Sequence, residues 1–425
     1  MKKIIPILMF CCSVVSGSLI EAKAQNNTSP YSLIGIGDIE KSSFDRTSGM
    51  GHAGVALSSN RYIYQGNPAS YAALDPHFFH FEAAARFKYV SYTGSPVSDF
   101  TNNKSSDLQF KKVTLGTKIT PRWAIGLGLM PYSTVNYSFA GEKPIQGSNL
   151  YADAFYAGTG STNQAFITNS FVVNKHLNIG LQTSYLFGQI EEKETLSGQL
   201  TDSGVITSRN VSIGQARFKL GAQYQTKLNK LWNIAAGGTI ANKTDLRANY
   251  SLRAVSGNTL LLENAYYKTA YFTLPLSYQV GAAATFRNMF TLAFDYQYEG
   301  WRETNYSGVS YMLDNSQRFS GGFEFSKKVS YMNQSYEKYF LQTGLFYSDS
   351  YLRINGIQLK DYGLTFGAGA ELSRTPLSSL AIQGAIELGI RGTTDKGLIR
   401  ERYTQFTLSL CYRDFWFSRK MKRYE

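Results

Sequence analysis

The chain has 425 residues, of which 17% are charged and 14% aromatic, and its formal net charge at pH 7 is +13. Soluble domains usually carry about a quarter charged residues, so this composition argues against a soluble enzyme. The basic residues are scattered and form a compact group only at the C-terminus, which argues against nucleic-acid binding. Composition alone leaves a soluble β-sandwich open as an alternative.

The first 24 residues are typical of a secretory signal peptide. Two lysines precede a mostly apolar stretch, and Ala22-Lys23-Ala24 has the small-x-small form of a cleavage site. Two of the three cysteines lie inside this segment, so only Cys411 remains after processing and no intramolecular disulfide is possible. No later apolar run reaches about 18 residues, which excludes transmembrane helices.

Residues 25–75 show little sustained alternation of apolar and polar residues and are rich in Gly, Ser, Asn and small apolar residues. We expect this segment to form a hatch inside a barrel. Its clearest local signal is Asn67-Pro68-Ala69, because proline fixes its own φ and restrains the preceding residue to extended conformations. The motif therefore predicts a fixed turn, and a simple surface turn is the alternative.

Residues 76–413 predict an all-β, transmembrane antiparallel β-barrel of about 14 strands. An even number is typical of bacterial single-chain barrels. The predicted segments are 77–93, 107–120, 122–139, 162–174, 176–191, 209–227, 231–250, 270–286, 288–300, 310–327, 336–348, 361–373, 378–391 and 402–413. Short connections alternate with long ones such as 140–161, which predicts an outer-membrane location with both termini in the periplasm. The connection over 328–335 is longer than this rule expects.

The last segment, Gln405–Arg413, shows why the barrel should span a membrane. Alternate side chains of a strand lie on opposite faces of its sheet. One face here is apolar and the other is more polar: Phe406, Leu408, Leu410 and Tyr412 against Thr407, Ser409, Cys411 and Arg413. By the same argument Asp295 should face the lumen, since a charge facing lipid costs up to about 2–4 kcal/mol.

Pro131 interrupts the third segment. A proline cannot donate to a β-ladder, so it normally marks an edge, a bulge or a kink. The alternative is that the strand simply ends near Met130.

The aromatic and basic residues near segment ends predict how the barrel sits in its membrane. Trp123, Trp232, Trp301 and Trp416 fall at predicted membrane–water interfaces. Residues 414–425 form a basic periplasmic tail that either meets lipid headgroups or is solvated.

Several motifs resemble the outer-membrane long-chain fatty-acid transporter family (FadL/TodX-like), whose members include hydrocarbon transporters. Residues 49–57 (GMGHAGVAL) and 67–74 (NPASYAAL) are similar to its N-terminal hatch. Residues 363–369 (GLTFGAG) and 416–420 (WFSRK) resemble the closing strands of its Bacteroidetes branch. The resemblance implies a 14-stranded barrel, a hatch anchored by Asn67, Pro68 and Ala69, and a lateral opening in the wall at Pro131.

The function implied is passive transport of hydrophobic small molecules such as long-chain fatty acids, with outer-membrane lipid and lipopolysaccharide as surroundings. Lumen cations such as Arg86, Lys88 or Lys118 would assist a carboxylate ligand, or else form structural ion pairs. Residues 260–262 and 266–267 either capture ligand or pack within their loop. The alternative is an interaction or shuttle barrel of a type 9 secretion-like system, with a protein partner.

No catalytic residue, metal or cofactor is predicted. The four histidines have no metal-ligand spacing. A lipid hydrolase would need a serine paired with histidine, and the one candidate base is His80 beside Glu82.

Overall fold

A computed structural model describes residues 29–94, 103–145, 147, 149, 151–198, 201–308, 310–331, 334–372 and 378–415. The predicted signal peptide and residues 416–425 of the predicted tail, including Trp416, lie outside these residues. Within the described part of the chain, no helix is long or apolar enough to cross a membrane.

The described strands join in one antiparallel sheet, which closes because the last strand pairs with β2 from Phe415↔Phe78 to Arg400↔Thr93. The strands are β1 (Asp38–Ile39), β2 (Phe78–Thr93), β3 (Lys104–Thr120), β4 (Trp123–Pro144), β5 (Tyr151–Val172), β6 (Leu177–Gly198), β7 (Thr201–Lys227), β8 (Trp232–Ala241), β9 (Thr244–Ser256), β10 (Thr259–Leu274), β11 (Ser277–Phe286), β12 (Phe290–Glu299), β13 (Tyr311–Leu313), β14 (Ser316–Tyr331), β15 (Gln334–Ile354), β16 (Ile357–Glu371), β17 (Ser378–Arg391) and β18 (Arg400–Phe415). Short 3-10 turns lie at Pro30–Leu33, Arg46–Met50, Pro68–Ala73, Trp301–Thr304 and Asp395–Gly397.

The barrel wall has 14 strand positions, which confirms the predicted fold. Two positions are each built from two consecutive strands, β8 with β9 and β10 with β11, because the strands break at 242–243 and at 275–276. β1 pairs with β4, and the three-residue β13 pairs with the far end of β15.

The face pattern of the wall follows the alternation in the sequence. In β18, Phe406, Leu408 and Leu410 are exposed on the outer surface, whereas Thr407, Ser409, Cys411 and Arg413 are buried inside. Similar outward residues on the other strands form an apolar belt, which is the surface that a bilayer covers.

The two ends of the barrel differ in their connections. At one end, here the turn end, the strands are joined near residues 121, 175, 229 and 288. At the other, the hairpin end, strands extend past the apolar belt, so much of the predicted loop 140–161 is strand.

The expected long connection over 328–335 is also wrong, because β14 continues to Tyr331 and β15 begins at Gln334. Continued pairing satisfies backbone polar groups that a loop would leave to water.

An apolar cluster fills the interior at the hairpin end. Tyr31, Ile34 and Ile36, which precede the barrel in sequence, are buried there against inward-facing wall residues. Trp301 lies in this cluster with 1% of its surface exposed, stacks on Tyr351, and donates Nε1–H to Glu299 at 2.8 Å. The predicted interfacial position of Trp301 is therefore wrong, since burial with a carboxylate acceptor satisfies its ring and its N–H.

Candidate functional site: the hatch and a break in the barrel wall

Residues Ser29–Asp75, which we call the hatch, contact inward-facing residues of the barrel wall. Its glycine-rich stretch is in direct contact with the wall. A Cβ atom on Gly344 of β15 would lie 2.3 Å from the backbone nitrogen of Gly51, and one on Gly322 of β14 would lie 2.4 Å from Cβ of Met50. Gly51 itself has φ of 64°, in the left-handed region. Glycines on both sides therefore permit a backbone-to-backbone approach that other residues would block.

The predicted Asn67-Pro68-Ala69 turn is buried against the wall, not exposed as a surface turn. The side-chain oxygen Oδ1 of Asn67 accepts from the Ala69 N–H at 3.0 Å and caps the 3-10 turn that begins at Pro68. The Asn67 side-chain amide donates to the carbonyls of Val55 at 2.8 Å and of Ala222 in β7 at 3.1 Å. One side chain thus ties two parts of the hatch to the wall.

Arg46 anchors the hatch electrostatically. Its guanidinium forms paired hydrogen bonds of 2.7–2.8 Å with Glu324 of β14 and of 2.7 Å with Glu337 of β15. Only 4% of the Arg46 side chain is exposed, and the ring of Phe340 lies 4.0 Å from the guanidinium carbon. Two carboxylates compensate one buried cation, so the whole group depends on Arg46 remaining in place.

Wall carboxylates also accept hydrogen bonds from the hatch backbone. Asp295 of β12 accepts from the N–H groups of Gly54 at 2.7 Å and Val55 at 2.9 Å, which confirms that it faces the lumen. Glu82 of β2 accepts from the Ile63 N–H at 2.8 Å and from the Lys112 ammonium at 2.7 Å. Such charge-assisted bonds are stronger than neutral ones.

The wall is interrupted between β3 and β4. Their described ladder runs from Thr120↔Trp123 to Val113↔Leu129 and goes no further, although β4 stays paired with β5 as far as Pro144. The register of β4 against β5 shifts between Pro131 and Ser133, as in a β-bulge. The alternative of a strand ending near Met130 is therefore wrong. Pro131 lies where the two strands separate.

The first part of the hatch covers the edge of β4 that the break leaves open. Asp38 and Ile39 of β1 pair with Thr134 and Ser133. On either side of this bridge, the Glu40 N–H donates to the Tyr132 carbonyl at 2.9 Å, and the Ser29 N–H donates to the Asn136 carbonyl at 2.8 Å. The hatch therefore supplies the backbone partners that β3 does not.

A charged cavity of about 100 Å³ lies behind the break. Its lining includes Gln109 of β3 and Thr134 of β4, together with Glu40 of the hatch. Glu40 accepts from Arg86 at 2.9 Å and from Lys111 at 3.3 Å. Burial alone would raise the pKa of Glu40, but these two cations outweigh it and lower the pKa to about 2.

The predicted lumen cations separate into two groups. Arg86 and Lys88 both line the cavity behind the break. Lys118 instead donates to the carbonyl of Ala72 at 2.7 Å and lies near the turn end.

Sequence reasoning missed Lys111, which is buried beside Lys112 because the β2–β3 register shifts there. Two adjacent lysines inside one strand were the available signal.

The candidate hydrolase residues do not form a catalytic arrangement. His80 Nε2 contacts the carbonyl of Asn60 at 3.2 Å, while the Glu82 carboxylate is bonded to Lys112 and to the hatch backbone. Within the described ranges, no three His, Cys, Asp or Glu side chains are grouped so as to hold a metal ion.

The hairpin formed by β9 and β10 carries the exposed apolar residues noted in the sequence. Leu260, Leu261 and Leu262 are 39–56% exposed, and Tyr267 is 61% exposed. These four side chains project at the hairpin end, whereas Tyr266 stacks on Tyr250 of the same hairpin with ring centroids 5.0 Å apart.

Three solved structures have folds similar to that of this chain. A Pseudomonas aeruginosa FadL homologue is 14% identical with a TM-score of 0.61, covering 89% of this chain and 100% of that one. The Ralstonia pickettii toluene transporter TbuX is 15% identical with a TM-score of 0.58, covering 87% and 97%. The Pseudomonas putida toluene transporter TodX is 16% identical with a TM-score of 0.55, covering 87% and 99%. These likenesses show the fold alone, a closed antiparallel β-barrel.

No curated protein matches the chain in sequence. A family model described as BamG matches residues 1–424, which is nearly the whole chain. The chain therefore belongs to the BamG family.

Proposed function

We propose that the protein is an outer-membrane passive transporter for hydrophobic small molecules with an anionic head, such as long-chain fatty acids, and that it releases them sideways between β3 and β4. In this proposal the turn end and both termini face the periplasm, and the hairpin end faces outward. The protein contributes a path and performs no catalysis.

The observation that carries the proposal is the break in the wall. A closed barrel satisfies its backbone groups by pairing every strand on both sides. Here the stretch Lys104–Lys112 of β3 pairs with β2 but has no described partner on β4. Backbone that lacks a wall partner at this depth is tolerated where it lines a cavity or is covered by other protein. The hatch covers β4, so displacement of the hatch would open a side exit.

The chemistry beside the break suits an amphiphile. Leu108 and Phe110 of β3 are 74% and 64% exposed and offer an apolar surface for a hydrocarbon tail. Arg86 and Lys88 line the cavity behind them, where Arg86 is paired with Glu40 of the hatch, so displacement of the hatch would leave Arg86 to pair with a ligand carboxylate. A fatty acid would thus place its head inside the wall and its tail toward the bilayer.

The structural neighbours supply independent support for a small apolar cargo. TbuX and TodX are each described as toluene transporters, and they share the barrel fold with this chain at 15–16% identity. The pairing of Arg86 and Lys111 with Glu40 of the hatch, whose place a ligand carboxylate could take, is the feature from which we infer an anionic head on the cargo of this protein.

The proposal is tested by uptake of radiolabelled oleate into cells that depend on this protein. Pro131→Val restores a backbone donor at the break, and we expect it to lower the initial rate by about tenfold, which corresponds to roughly 1.4 kcal/mol. The matched control is Pro275→Val, since Pro275 lies where β10 ends but both adjoining ladders continue. Unchanged uptake by a folded Pro131→Val barrel would overturn the lateral route.

A second candidate is a protein-interaction barrel. The observation that favours it is the occupied lumen: the interior at the hairpin end is filled by Tyr31, Ile34 and Ile36, and the middle by the Arg46 ion pairs. The exposed β9–β10 hairpin would then be a docking surface. Gentle extraction and native mass spectrometry separate the two, because a bound fatty acid favours transport and a stoichiometric protein favours interaction.

A further inference from the structure

A large open basin lies at the turn end of the barrel, on the opposite side of the hatch from the apolar cluster. It has a volume of about 980 Å³, at the upper end of the range of ligand pockets, which is about 300–1,000 Å³. Hatch residues 56–62 form one side, and the ends of β7, β8, β11, β12 and β14 form the others. The basin shares no lining residue with the cavity behind the wall break.

The charge of the basin is strongly one-sided. Six of its lining residues are cations, namely Arg46, Arg61, Lys175, Lys227, Arg287 and Lys328, and two are carboxylates, Glu324 and Glu337. Both carboxylates are engaged by the buried Arg46. Two carboxylates against one guanidinium leave that group with one net negative charge, and the lining as a whole, with six cations and two carboxylates, keeps a formal net charge of +4.

Four of these cations are available to a ligand. Lys175, Lys227, Arg287 and Lys328 are exposed, and none of them forms an ion pair with any residue that the structure describes. Between them lie polar side chains, including Gln225 and Asn288, that offer further hydrogen bonds. A surface of one charge sign with polar groups between the charges is complementary to an acidic polar partner.

We propose that the turn-end basin binds an acidic segment of a partner protein. The volume of the basin accommodates several residues of extended chain. The four cations are distributed around the basin and are not clustered at one position. A peptide whose carboxylates are spaced along its backbone fits this arrangement, and its backbone groups would meet Gln225 and Asn288. The site is independent of the transport proposal, since neither Pro131 nor the cavity behind the break takes part.

The test uses the full mature chain in phosphatidylcholine nanodiscs and a fluorescein-labelled peptide of alternating Glu and Ser, with fluorescence anisotropy as the readout. We expect saturable binding that weakens as salt rises, and no binding of the matching Gln/Ser peptide. Lys175→Glu, Lys227→Glu and Arg287→Glu together should weaken binding by at least about tenfold, because each reversal replaces an attraction by a repulsion.

The matched control reverses the same number of charges at the other end of the barrel. Lys243→Glu, Arg253→Glu and Lys268→Glu together should leave the affinity within about twofold of that of the unmodified protein. The reason is that these three positions lie beyond the range of close ion pairing with a peptide in the basin. A triple Lys175→Gln, Lys227→Gln and Arg287→Gln variant removes charge without adding repulsion and should show an intermediate loss. Heat-modifiable gel mobility checks that each barrel is folded.

Three outcomes would overturn the proposal. Absence of peptide binding is the first. Equal loss in both triple Glu variants is the second, because it would show that net charge alone attracts the peptide. Competitive displacement of the peptide when phosphatidylglycerol is added to the nanodiscs is the third, because it would assign the basin to an anionic lipid.

Discussion

The hatch consists of two segments that are held in different ways. The anchor segment, Asp45–Asp75, is fixed to fully paired wall strands by the Arg46 ion pairs, by the Asn67 hydrogen bonds and by the glycine contacts at Gly51. The front segment, Ser29–Phe44, lies on the free edge of β4 through a short backbone bridge and through the Glu40 ion pairs. The anchor segment replaces no part of the wall, whereas the front segment takes the place of the strand partner that β4 lacks.

This difference indicates where motion can occur. Releasing the anchor segment would leave buried charges without partners, which is costly in a low-dielectric interior. Releasing the front segment exposes a strand edge and apolar side chains such as Tyr31. It also separates Glu40 from Lys111 and Asp38 from Arg391, so these cations need a new anionic partner. Part of that loss is recovered if an amphiphile takes over the same surface. The front segment is thus suited to act as a cover and the anchor segment as its fixed base.

The largest effect is expected from the anchor segment. Arg46→Ala leaves Glu324 and Glu337 buried without a cation, and such a loss typically costs about 3–5 kcal/mol. We expect a fall of that size in the free energy of unfolding, measured by urea titration of tryptophan fluorescence in lipid vesicles. Protease cleavage within the hatch should also become faster than in the unmodified protein.

The matched control for Arg46 is an ion pair at the hairpin end. Arg209 pairs with Glu192, but 42% of its side chain is exposed. Arg209→Ala should therefore cost no more than about 1 kcal/mol, as exposed pairs usually do. If both variants lowered stability equally, burial of the Arg46 group would not be the source of its strength.

A smaller effect is expected where the hatch backbone contacts the wall. A Cβ atom on Gly344 would lie 2.3 Å from backbone atoms of the hatch, which cannot move aside as a flexible side chain would. Gly344→Ala should lower the unfolding free energy by about 1–3 kcal/mol, the usual cost of overpacking.

Gly384 of β17 offers the matched control for Gly344, because a Cβ atom there would meet only the ring of Phe406 at 3.5 Å. Gly384→Ala should be nearly neutral in the same titration. The anchor contact at Gly344 would be contradicted if the two alanine variants were equally stable.

The wall and its interior carboxylates could be predicted from the sequence because alternation within one strand determines which face meets lipid. Asp295 is an example, since its neighbours in β12 alternate clearly and a charge is excluded from the outer face. The hairpin end was less predictable. Beyond the bilayer both faces of a strand are wet, so a stretch such as 151–161 loses its alternation while its backbone remains paired.

The cavity behind the break could not be predicted in its details. Its groups come from distant parts of the chain, as in the bond from Arg391 to Asp38 across 353 positions. No local pattern specifies such a pairing. Lys111 and Lys112 both face inward because of a bulge, whereas strict alternation would have placed one of them toward lipid. Pro131 indicated a distortion, but not which neighbouring strand would separate.

The smallest effect concerns the front segment and distinguishes it from the anchor. Glu40→Gln removes the negative partner of Arg86 and Lys111. We expect the closed arrangement, in which the front segment covers the edge of β4, to lose about 1 kcal/mol of stability relative to the open one. That loss raises the population of the open arrangement by a factor of roughly five. The readout is maleimide labelling of Ser133→Cys, a wall position buried beneath β1, in a Cys411→Ser background. Labelling should be about fivefold faster in Glu40→Gln than with Glu40 present.

Acid provides the complementary measurement on the same cysteine. The pKa of Glu40 is lowered from 4.5 to about 2, so its stabilising contribution is fully present above pH 4.5 and is lost only as the pH falls toward 2. With Glu40 present, labelling of Ser133→Cys, normalised to an exposed Lys243→Cys control, should therefore stay constant from pH 7 to pH 5. A rise in normalised labelling within that range would mean that a different group holds the front segment closed, and the division of the hatch into base and cover would have to be redrawn around that group.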